Sequence, residues 1–392
     1  THVRNIHFVY NRVDNSHKRG ELMKIIVIGS GIVGASAAYH LAKSGIEVVL
    51  IDHQHEGKAT AAGAGIVCPW DSDKGDEWYR IANAGAVYYP TLISELQNIG
   101  EEDVGYKRVG ALYVSKDSFA LDKKKQLLEM RRNETPEVGD ISKLTNAEAR
   151  ELFPPLHEEL EAIYVSGAAR VDGRLLQGAL ERSAEEYGVT KVDGKANLLY
   201  ENGEIIGADV QGDRIYADAI IIAAGAWTSE ILRPLGVEIN IEPQRGQIVH
   251  IKMPHEDTST WPIVYPETSH YLLAFDDARV VAGATRETGS GFDYRLTAGG
   301  IHEVLAEALN VAPGLAKGEI YEVRIGFRPM GPNDLPVFGK VEPFPNVVLA
   351  TGLGASGLTM GPYVGKLAAM IANNEPIEIN IDPYHPSRVM KV

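Results

Sequence analysis

A glycine-rich turn near the start of the chain has the spacing of a nucleotide-phosphate site. Gly29, Gly31 and Gly34 form the pattern G-x-G-x-x-G between a short apolar run and a helical stretch. At this spacing the glycines allow a tight turn, a close approach of backbone to a pyrophosphate, and close packing of the helix on the sheet. The next apolar strand ends in Asp52, whose carboxylate can bind both hydroxyls of a ribose. The sequence therefore predicts dinucleotide binding, while this motif alone leaves open which dinucleotide is bound.

Two further glycine-bearing turns follow apolar strands, at Gly225 and over residues 352–357. A nicotinamide cofactor would account for the first turn alone, whereas a flavin dinucleotide would also use the later ones. The late turn precedes a helix, whose N-terminal dipole favours negative charge on a reduced flavin ring. Residues 57–67 are too rich in glycine for a stable helix and too apolar for a solvated linker, which indicates backbone lying against a flat ligand. Ordinary glycine turns and a flexible loop remain open alternatives.

Arg328 is the residue best suited to hold a carboxylate. It precedes Pro329 in a stretch rich in proline and glycine, which limits its backbone freedom. A guanidinium fork can bind a carboxylate through two hydrogen bonds. Tyr265, Tyr271 and Arg286 lie in a separate region and are candidates for further polar anchors. Taken alone, the residues favour a surface salt bridge for Arg328 and packing roles for the tyrosines, and no Ser-His-Asp pattern or metal-ligand spacing stands out.

Composition limits the partners and the compartment. The net charge of −15 argues against nucleic acid or an anionic membrane surface as a partner. A single cysteine, Cys68, excludes an intramolecular disulfide and fits a reducing, cytoplasmic compartment. No run of about 18 apolar residues exists, so no transmembrane segment is expected, and peripheral membrane attachment is left open. Residues 1–22 lack the apolar region of a signal peptide and precede Met23, so we expect a disordered or non-native leader.

The elements that must position these residues belong to two interleaved regions. The β-α-β pattern at 24–52 and the later apolar strands predict a doubly covered parallel sheet. The expected fold is α/β, or α+β overall, with a Rossmann-type domain and a second, antiparallel-sheet substrate domain. The expected bounds are residues 23–105, 164–232 and 322–392 for the first domain, and residues 106–163 and 233–321 for the second.

In its ordered motifs the chain resembles the D-amino-acid oxidase group of flavoenzymes, with glycine oxidase and D-amino-acid dehydrogenase as the members it is most similar to. The resemblance covers about Met23 to Ile371. Each segment is weak evidence by itself, but the ordered set is specific. The matching segments are Gly29–Gly34 with Asp52, residues 59–65, Arg170–Asp172, Ala223–Trp227, Gly326–Pro329 with Leu335–Gly339, and the turn over residues 352–357.

The resemblance implies non-covalent FAD in the Rossmann-type FAD-binding domain. It assigns the substrate carboxylate to Arg328 and Tyr271 as catalytic residues, with Arg286 and Tyr265 as further pocket candidates. Cys68 does not match the position of covalent flavin attachment and is interpreted as structural. The residues assigned to the cofactor are Gly29, Gly31, Ile32, Val33, Gly34, Asp52, His53, Thr60, Ala61, Gly65, Ile66, Val192, Ala224, Gly225, Trp227, Arg328, Gly354, Ala355, Ser356, Gly357, Leu358 and Thr359.

The activity implied is oxidative deamination of a small amino acid, either a D-amino acid or a glycine-like one, to a 2-oxo acid by hydride transfer to flavin N5. Oxygen, a quinone or another carrier would accept the electrons, and a homo-oligomer is left open. Ala355 replaces a second pocket arginine of glycine oxidase, which puts glycine specificity in doubt. Arg286 replaces a pocket methionine and would favour a substrate with a second acidic or polar group if it faces the pocket.

Three alternatives remain at this point. An N-methyl or cyclic imino acid oxidase or dehydrogenase would differ only in its pocket. A nicotinamide-dependent dehydrogenase would use only the N-terminal fold. A non-catalytic flavin-binding scaffold or sensor would hold FAD that no amino acid can reduce.

Overall fold

The computed structural model describes residues 23–391, and the predicted leader, residues 1–22, lies outside the described residues. The strands, in chain order, are β1 (Lys24–Ile28), β2 (Glu47–Asp52), β3 (Ile66–Val67), β4 (Tyr106–Arg108), β5 (Ala111–Ser115), β6 (Ile141–Leu144), β7 (Glu161–Val165), β8 (Ala169–Val171), β9 (Thr190–Asp193), β10 (Ala196–Glu201), β11 (Glu204–Val210), β12 (Asp213–Tyr216), β13 (Ala219–Ile222), β14 (Glu242–Lys252), β15 (Ile263–Tyr265), β16 (Tyr271–Phe275), β17 (Arg279–Gly283), β18 (Glu287–Thr288), β19 (Glu319–Met330), β20 (Val337–Val341) and β21 (Phe344–Thr351). The α-helices are α1 (Ile32–Lys43), α2 (Ala59–Ala62), α3 (Asp76–Asn98), α4 (Ser118–Glu134), α5 (Asn146–Leu152), α6 (Gly173–Glu186), α7 (Thr228–Leu232), α8 (Ala298–Val311) and α9 (Gly357–Ala372).

A six-stranded sheet forms the dinucleotide part of the molecule, in the order β20-β21-β13-β1-β2-β9. Its strands are parallel except β20, which runs antiparallel to β21 at one edge. The central strands β1 and β13 are rich in isoleucine and almost fully buried. Such apolar strands are typical of a parallel sheet that helices cover on both faces. The sheet contains the β-α-β unit that the sequence predicts.

Glycines hold the helices of this part close together. Helix α1 contacts α6 and α9. A Cβ at Gly34 would lie 1.8 Å from the Gly29 carbonyl oxygen, and a Cβ at Gly365 would lie 2.4 Å from the Val33 carbonyl oxygen. Because no larger residue fits at either position, the N-terminus of α1 lies directly against the turn that follows β1.

A second, larger sheet is mainly antiparallel, in the order β18-β14-β17-β16-β15-β5-β7-β6, with β19 also paired to β14. Only β15 and β5 pair in parallel within it. Helix α8 packs on β14 and β17, and α4 packs on β5, β6 and β7. The buried residues of α8 share a core with Leu112 of β5, whereas those of α4 share the core that contains Tyr113. The two helices therefore cover opposite faces of the sheet, and the face that carries Tyr113 also meets the dinucleotide part. The fold is the α/β type with a second antiparallel sheet that the sequence predicts.

Two features differ from the sequence-based expectations. First, two expected domain boundaries fall inside strands of the second sheet: residue 164 lies in β7, which pairs with β5 and β6, and residue 322 lies in β19, which pairs with β14 from Glu319 to Met330. The stretch over residues 57–67 begins with one helical turn, α2, before it becomes extended. Alanines at three of the four positions of α2 permit this turn between the flanking glycines.

Candidate functional site

A single long cavity of about 920 Å³ joins the turn after β1 to the face of the second sheet that carries Tyr113. It brings together residues that are far apart in the chain and that the sequence assigns to one site. The assigned residues that line it are Gly29, Gly31, Ile32, Val33, Asp52, His53, Thr60, Gly65, Ile66, Ala224, Gly225, Trp227, Tyr265, Tyr271, Arg286, Arg328, Gly354, Ala355, Ser356, Gly357, Leu358 and Thr359.

The dinucleotide end of the cavity is shaped by the glycine turn. Gly29 has a φ of +96°, and a Cβ there would lie 2.5 Å from the Ala223 carbonyl oxygen. The hydroxyl of Thr60 accepts a hydrogen bond from the Ile32 N–H at 3.0 Å. This contact fixes α2 against the first turn of α1, where helix N–H groups favour phosphate. Gly34 does not line the cavity and acts only in packing.

Asp52 lies at the ribose position, and its carboxylate already has two partners. Its Oδ1 accepts a hydrogen bond from the Ser30 N–H at 3.0 Å, and its Oδ2 forms an ion pair with Lys58. Lys58 also lines the cavity, and the sequence analysis did not identify it. Its position six residues after Asp52, directly before α2, gave no indication of an ion pair with Asp52.

Besides Gly34, two residues assigned to the cofactor do not line the cavity. Val192 pairs with Ile51 inside the sheet, and its side chain packs against the apolar core, so Gly194, Lys195 and Ala196 line this end instead. Ala61 lies on the outer side of α2, where its carbonyl accepts hydrogen bonds from Arg174 at 3.0 Å and Arg324 at 3.3 Å. Neither residue lines the cavity, because the side that a residue presents depends on strand pairing and helical geometry and not on distance along the chain.

The middle of the cavity is lined by backbone from two segments. Gly65 has a φ of +96°, and a Cβ there would lie 1.7 Å from the Val171 carbonyl oxygen. The Thr359 hydroxyl donates to the Ile66 carbonyl at 2.9 Å, which ties α9 to β3. The first turn of α9 carries no acidic residue, so its positive dipole end faces the cavity uncompensated.

The lining fits FAD. Gly225 and Gly357 face the cavity, and at each of them a Cβ position has no other atom within 4 Å, so the walls leave open cradles there. The Asp52 carboxylate suits ribose hydroxyls, and the α1 and α9 N-termini suit the pyrophosphate and the flavin pyrimidine edge. A nicotinamide dinucleotide on the first turn alone would leave the walls around residues 354–359 without a ligand.

A row of three tyrosines forms the floor of the other end. Tyr113, Tyr265 and Tyr271 all face the dinucleotide part. Tyr113 and Tyr265 lie side by side in register, with ring centroids 5.1 Å apart and ring planes at 9°. Tyr271 lies opposite Gly283, where a Cβ would be 2.5 Å from its hydroxyl oxygen. Burial raises the pKa of each of these tyrosines, so their hydroxyls remain protonated donors.

Arg328 lies beside this row with half of its guanidinium fixed. Its Nη1 donates to the Gln244 side-chain oxygen at 3.1 Å and to the Thr285 carbonyl at 2.9 Å. Burial lowers the pKa of Arg328, whereas Tyr271 raises it. Among the described residues no acceptor bonds Nη2 or Nε, so that edge of the fork is left for a ligand. Gly246, which the sequence analysis missed, makes room for the guanidinium.

Arg286 reaches the same end of the cavity from the rim. It is exposed, lines the cavity, and makes only a long contact of 3.5 Å with the Ser269 carbonyl. Burial raises the pKa of Tyr271, and Arg328 and then Arg286 oppose that rise. Two guanidinium groups therefore act on one tyrosine hydroxyl. Arg286 therefore lines the pocket from an exposed position at its rim, which the sequence alone left open.

Cys68 lies in the cavity wall, with its thiol 3.3 Å from the Tyr113 hydroxyl. Burial raises the pKa of this thiol to about 12, so it is neutral. Within residues 23–391 no group of three or more His, Cys, Asp or Glu side chains could hold a metal ion. None of the helices in that range is long and apolar enough to cross a membrane.

A Rossmann-type sheet, a dinucleotide-length cavity and a substrate floor on a second sheet define a flavin-dependent oxidoreductase. The chain belongs to the DAO family of FAD dependent oxidoreductases, which it matches over residues 24–371. The members of this family are FAD flavoproteins that pass electrons from a small-molecule substrate to an acceptor.

Individual relatives agree with this assignment over nearly the whole chain. The chain is 48% identical to the uncharacterized oxidoreductase YurR of Bacillus subtilis, over 92% of this chain and 98% of that protein. Its structure is similar to that of iminodiacetate oxidase from Chelativorans sp. BNC1, with a TM-score of 0.90 and 48% identity over 92% of this chain and 98% of that one. It is 28% identical to glycine oxidase of Pseudomonas aeruginosa, over 93% of this chain and 98% of that enzyme.

Proposed function

We propose that this protein oxidises the amine of a small amino acid that carries a second carboxylate, with a secondary amine of the iminodiacetate type as its substrate. The observation that carries this proposal is that Arg328, Arg286 and Tyr271 line one end of the cavity together: Arg328 donates to the carbonyl of Thr285, the residue before Arg286, and Tyr271 pairs with Gly283 on the same segment. The similarity to iminodiacetate oxidase supports the same substrate class. This proposal narrows the activity that the sequence implies, oxidative deamination of a small amino acid, to a dicarboxylate with a secondary amine.

Arg328 holds the carboxylate next to the carbon that is oxidised. Its Nη1 is fixed by Gln244 and Thr285, so its free edge points in one direction before the ligand arrives. A preorganised fork loses little freedom on binding, and a charge-assisted pair in a partly closed cavity contributes about 1.5–3 kcal/mol. The Tyr271 hydroxyl, kept protonated by burial, donates to the same carboxylate.

Arg286 holds the second carboxylate. It is not tied to any acidic residue among those described, since its one contact is with a backbone carbonyl. A protein with a net charge of −15 repels an anionic dicarboxylate at long range, so local cations are needed to offset that repulsion. A methionine at this position would leave the second carboxylate unpaired.

When bound, FAD would supply the oxidant that accepts a hydride from the carbon beside the amine, and hydrolysis of the resulting imine would give a 2-oxo acid and an amine. The contribution of the chain is orientation. Two anchored carboxylates fix the substrate at both ends and so limit its rotation over the cavity floor. Because the bound substrate is already held in one geometry, it loses less entropy on reaching the transition state than a freely moving substrate would.

The test is anaerobic reduction of the visible flavin absorbance by a panel of amines. Iminodiacetate is expected to bleach the flavin faster at low concentration than sarcosine, glycine, D-alanine or D-proline. Arg286→Met should lower kcat/KM for iminodiacetate about tenfold to a hundredfold and leave sarcosine within about threefold, because only the dicarboxylate uses the second guanidinium. Arg328→Met should lower kcat/KM for every substrate by at least about a hundredfold while FAD stays bound.

A control variant separates these effects from a general loss of positive charge. Arg214→Met removes a guanidinium on β12, outside the cavity lining, and should leave all substrates unchanged. Equal losses for iminodiacetate and sarcosine in Arg286→Met would overturn the role of Arg286. A flavin that none of these compounds reduces would overturn the proposed activity and favour the scaffold alternative.

A second candidate is the oxidation of a monocarboxylate, such as an N-methyl, cyclic or primary amino acid. The 28% identity to glycine oxidase favours it, and it needs only Arg328 and Tyr271. The same panel decides, because this candidate predicts that sarcosine, D-proline or glycine exceeds iminodiacetate and that Arg286→Met changes none of the rates. Oxygen consumption during turnover in air, compared with turnover on a quinone or dye, identifies the electron acceptor.

A further inference from the structure

The segment over residues 289–296, between β18 and α8, crosses from the second sheet to the dinucleotide end of the molecule. Its side chains Phe292, Tyr294 and Leu296 are 39%, 43% and 49% exposed, which is unusual for a short segment without helix or strand. Neither Phe292 nor Tyr294 lines the cavity. We call this segment the latch.

The latch completes a stack of three rings. Phe292 stacks on Trp227 with centroids 4.9 Å apart at 16°, and Trp227 stacks on His55 with centroids 4.3 Å apart at 14°. Phe292 also meets Phe327 edge to face at 5.3 Å. Trp227 and His55 line the cavity at its dinucleotide end. The ring of Phe292 is therefore the outer layer of a wall whose inner layer faces the cofactor site.

The latch also covers the loop that follows Asp52. A Cβ at Gly57 would lie 2.4 Å from the Phe327 ring and 3.3 Å from the Tyr294 ring, so this loop is enclosed by aromatic side chains. The Phe327 N–H donates to the Gly57 carbonyl at 2.9 Å. The enclosed loop carries His53, His55 and Lys58, all of which line the cavity.

A buried arginine anchors the latch to the second sheet. Arg245 of β14 has a side chain that is only 8% exposed. Its guanidinium donates to Glu287 through Nε at 3.0 Å and to the carbonyls of Asp293 and Arg295 at 3.0 and 3.2 Å. It also forms an ion pair with the Asp293 carboxylate at 3.0 Å. One side chain thus holds Glu287, just before the latch, and Asp293 and Arg295 within it, and Phe292 lies between these contacts.

We propose that the latch retains FAD by holding Trp227 and the loop after Asp52 against the dinucleotide end of the cavity, with Phe292 as the positioning residue. Trp227 and His55, which line the cavity here, belong to the Rossmann-type part, whereas Arg245, which holds the latch, belongs to the second sheet. Release of FAD requires the wall to open, and opening breaks the Phe292 contacts with Trp227 and Phe327. This inference depends on FAD binding and not on the identity of the substrate, so it stands or falls independently of the proposed dicarboxylate activity.

The test is the rate at which FAD leaves the holoenzyme, followed by the rise of free FAD fluorescence after dilution into buffer containing potassium bromide. Phe292→Ala should release FAD about tenfold faster, because the stacked contact with Trp227 and the edge contact with Phe327 are both lost. Phe292→Tyr keeps the stacked ring and should release FAD within about twofold of the wild-type rate. Phe119→Ala removes an aromatic ring that is 65% exposed on α4 and should leave the rate unchanged.

A second measurement excludes a merely structural role. The melting temperature is compared between holoprotein and apoprotein of each variant. The gap between the two should shrink in Phe292→Ala, because weaker FAD binding stabilises the native state less. Asp293→Asn loosens the anchor without removing a ring and should give a smaller acceleration, which keeps the test available if Phe292→Ala fails to fold. Wild-type release from both variants, or an unchanged gap in melting temperature, would overturn the proposal.

Discussion

The guanidinium of Arg328 lies directly over Gly246, and a Cβ at that position would be 2.7 Å from Nη2. Gly246 lies on β14 and Arg328 on the paired strand β19. The register partner of Arg328 is Gln244, two residues before Gly246. A glycine in a sheet interior usually weakens a strand. Here it creates the space in which Arg328, the proposed substrate anchor, lies flat, with one edge fixed and one edge free.

Gly246→Ala should therefore impair substrate binding more than stability. The new methyl group meets the end of a flexible side chain, so Arg328 moves and the strand does not. We expect KM for the carboxylate substrate to rise about tenfold, since one charge-assisted contact is misplaced. Steady-state kinetics and thermal unfolding measure the two effects. Gly299→Ala, at a site on α8 with no atom within 4 Å, is the control, and an unchanged KM in Gly246→Ala would contradict this role of the glycine.

Gly65 should be required for FAD binding because its surroundings leave no space for a side chain. Gly65→Ala would place a Cβ 1.7 Å from the Val171 carbonyl oxygen at a φ of +96°. Gly100 has almost the same φ, +97°, with no atom within 4 Å, so Gly100→Ala carries only the cost of about 1 kcal/mol for the left-handed backbone. We expect Gly65→Ala to be purified largely without FAD and Gly100→Ala to keep it. The ratio of flavin to protein in the two purified variants measures this difference, and full FAD occupancy in Gly65→Ala would refute the expectation.

Cys68 should be unreactive in the native protein. Only the thiolate attacks a disulfide reagent, and burial raises the pKa of this thiol to about 12. We expect no reaction with a thiol-specific chromogenic disulfide at neutral pH, and one equivalent after unfolding because the chain has a single cysteine. Acid denaturation should at the same time release free FAD into the supernatant. Rapid labelling of the folded protein would show that the cavity wall opens at this point.

Acid should destabilise the protein partly through His40. Burial, followed by the charges of Lys366 and Lys43, lowers the pKa of His40 from 6.5 to about 3. Between these values the unfolded chain binds a proton that the folded chain does not, so stability is lost as pH falls below about 6.5. The slope is about 1.4 kcal/mol per pH unit for one such group. His250, whose pKa burial also lowers to about 3, contributes with the same sign.

The His40 effect can be isolated by substitution. His40→Gln keeps an acceptor for the Tyr88 hydroxyl, which lies 2.9 Å from Nε2, and removes the titrating ring. Urea unfolding at pH 7 and pH 5 should show a loss of stability smaller than that of the wild type by up to about 2 kcal/mol. The exposed His302→Gln provides the matched control. Identical losses in His40→Gln and the wild type would exclude His40 as an acid-sensitive group.

The sequence by itself determined the dinucleotide part and the identity of the cofactor class. The spacing of Gly29, Gly31 and Gly34 and the position of Asp52 encode a local structure, because one turn, one helix and one neighbouring strand satisfy all their requirements. Local patterns therefore predicted these elements correctly. Val192 and Ala61, which the resemblance assigned to the cofactor, do not line the cavity, because the face that a side chain presents depends on strand pairing and on a helical turn within residues 57–67.

Only the tertiary structure decided how the substrate end is built. Arg328, Gly246, Tyr271 and Arg286 come from three strands and a loop, and their proximity follows from sheet register, which no short segment encodes. Lys58 and Phe292 gave no signal in the sequence, since an ion pair with Asp52 and a stack on Trp227 exist only after the two parts of the molecule pack together. The chain's motifs specify which cofactor it binds, whereas long-range packing places the two guanidinium groups on which the proposed substrate selectivity depends.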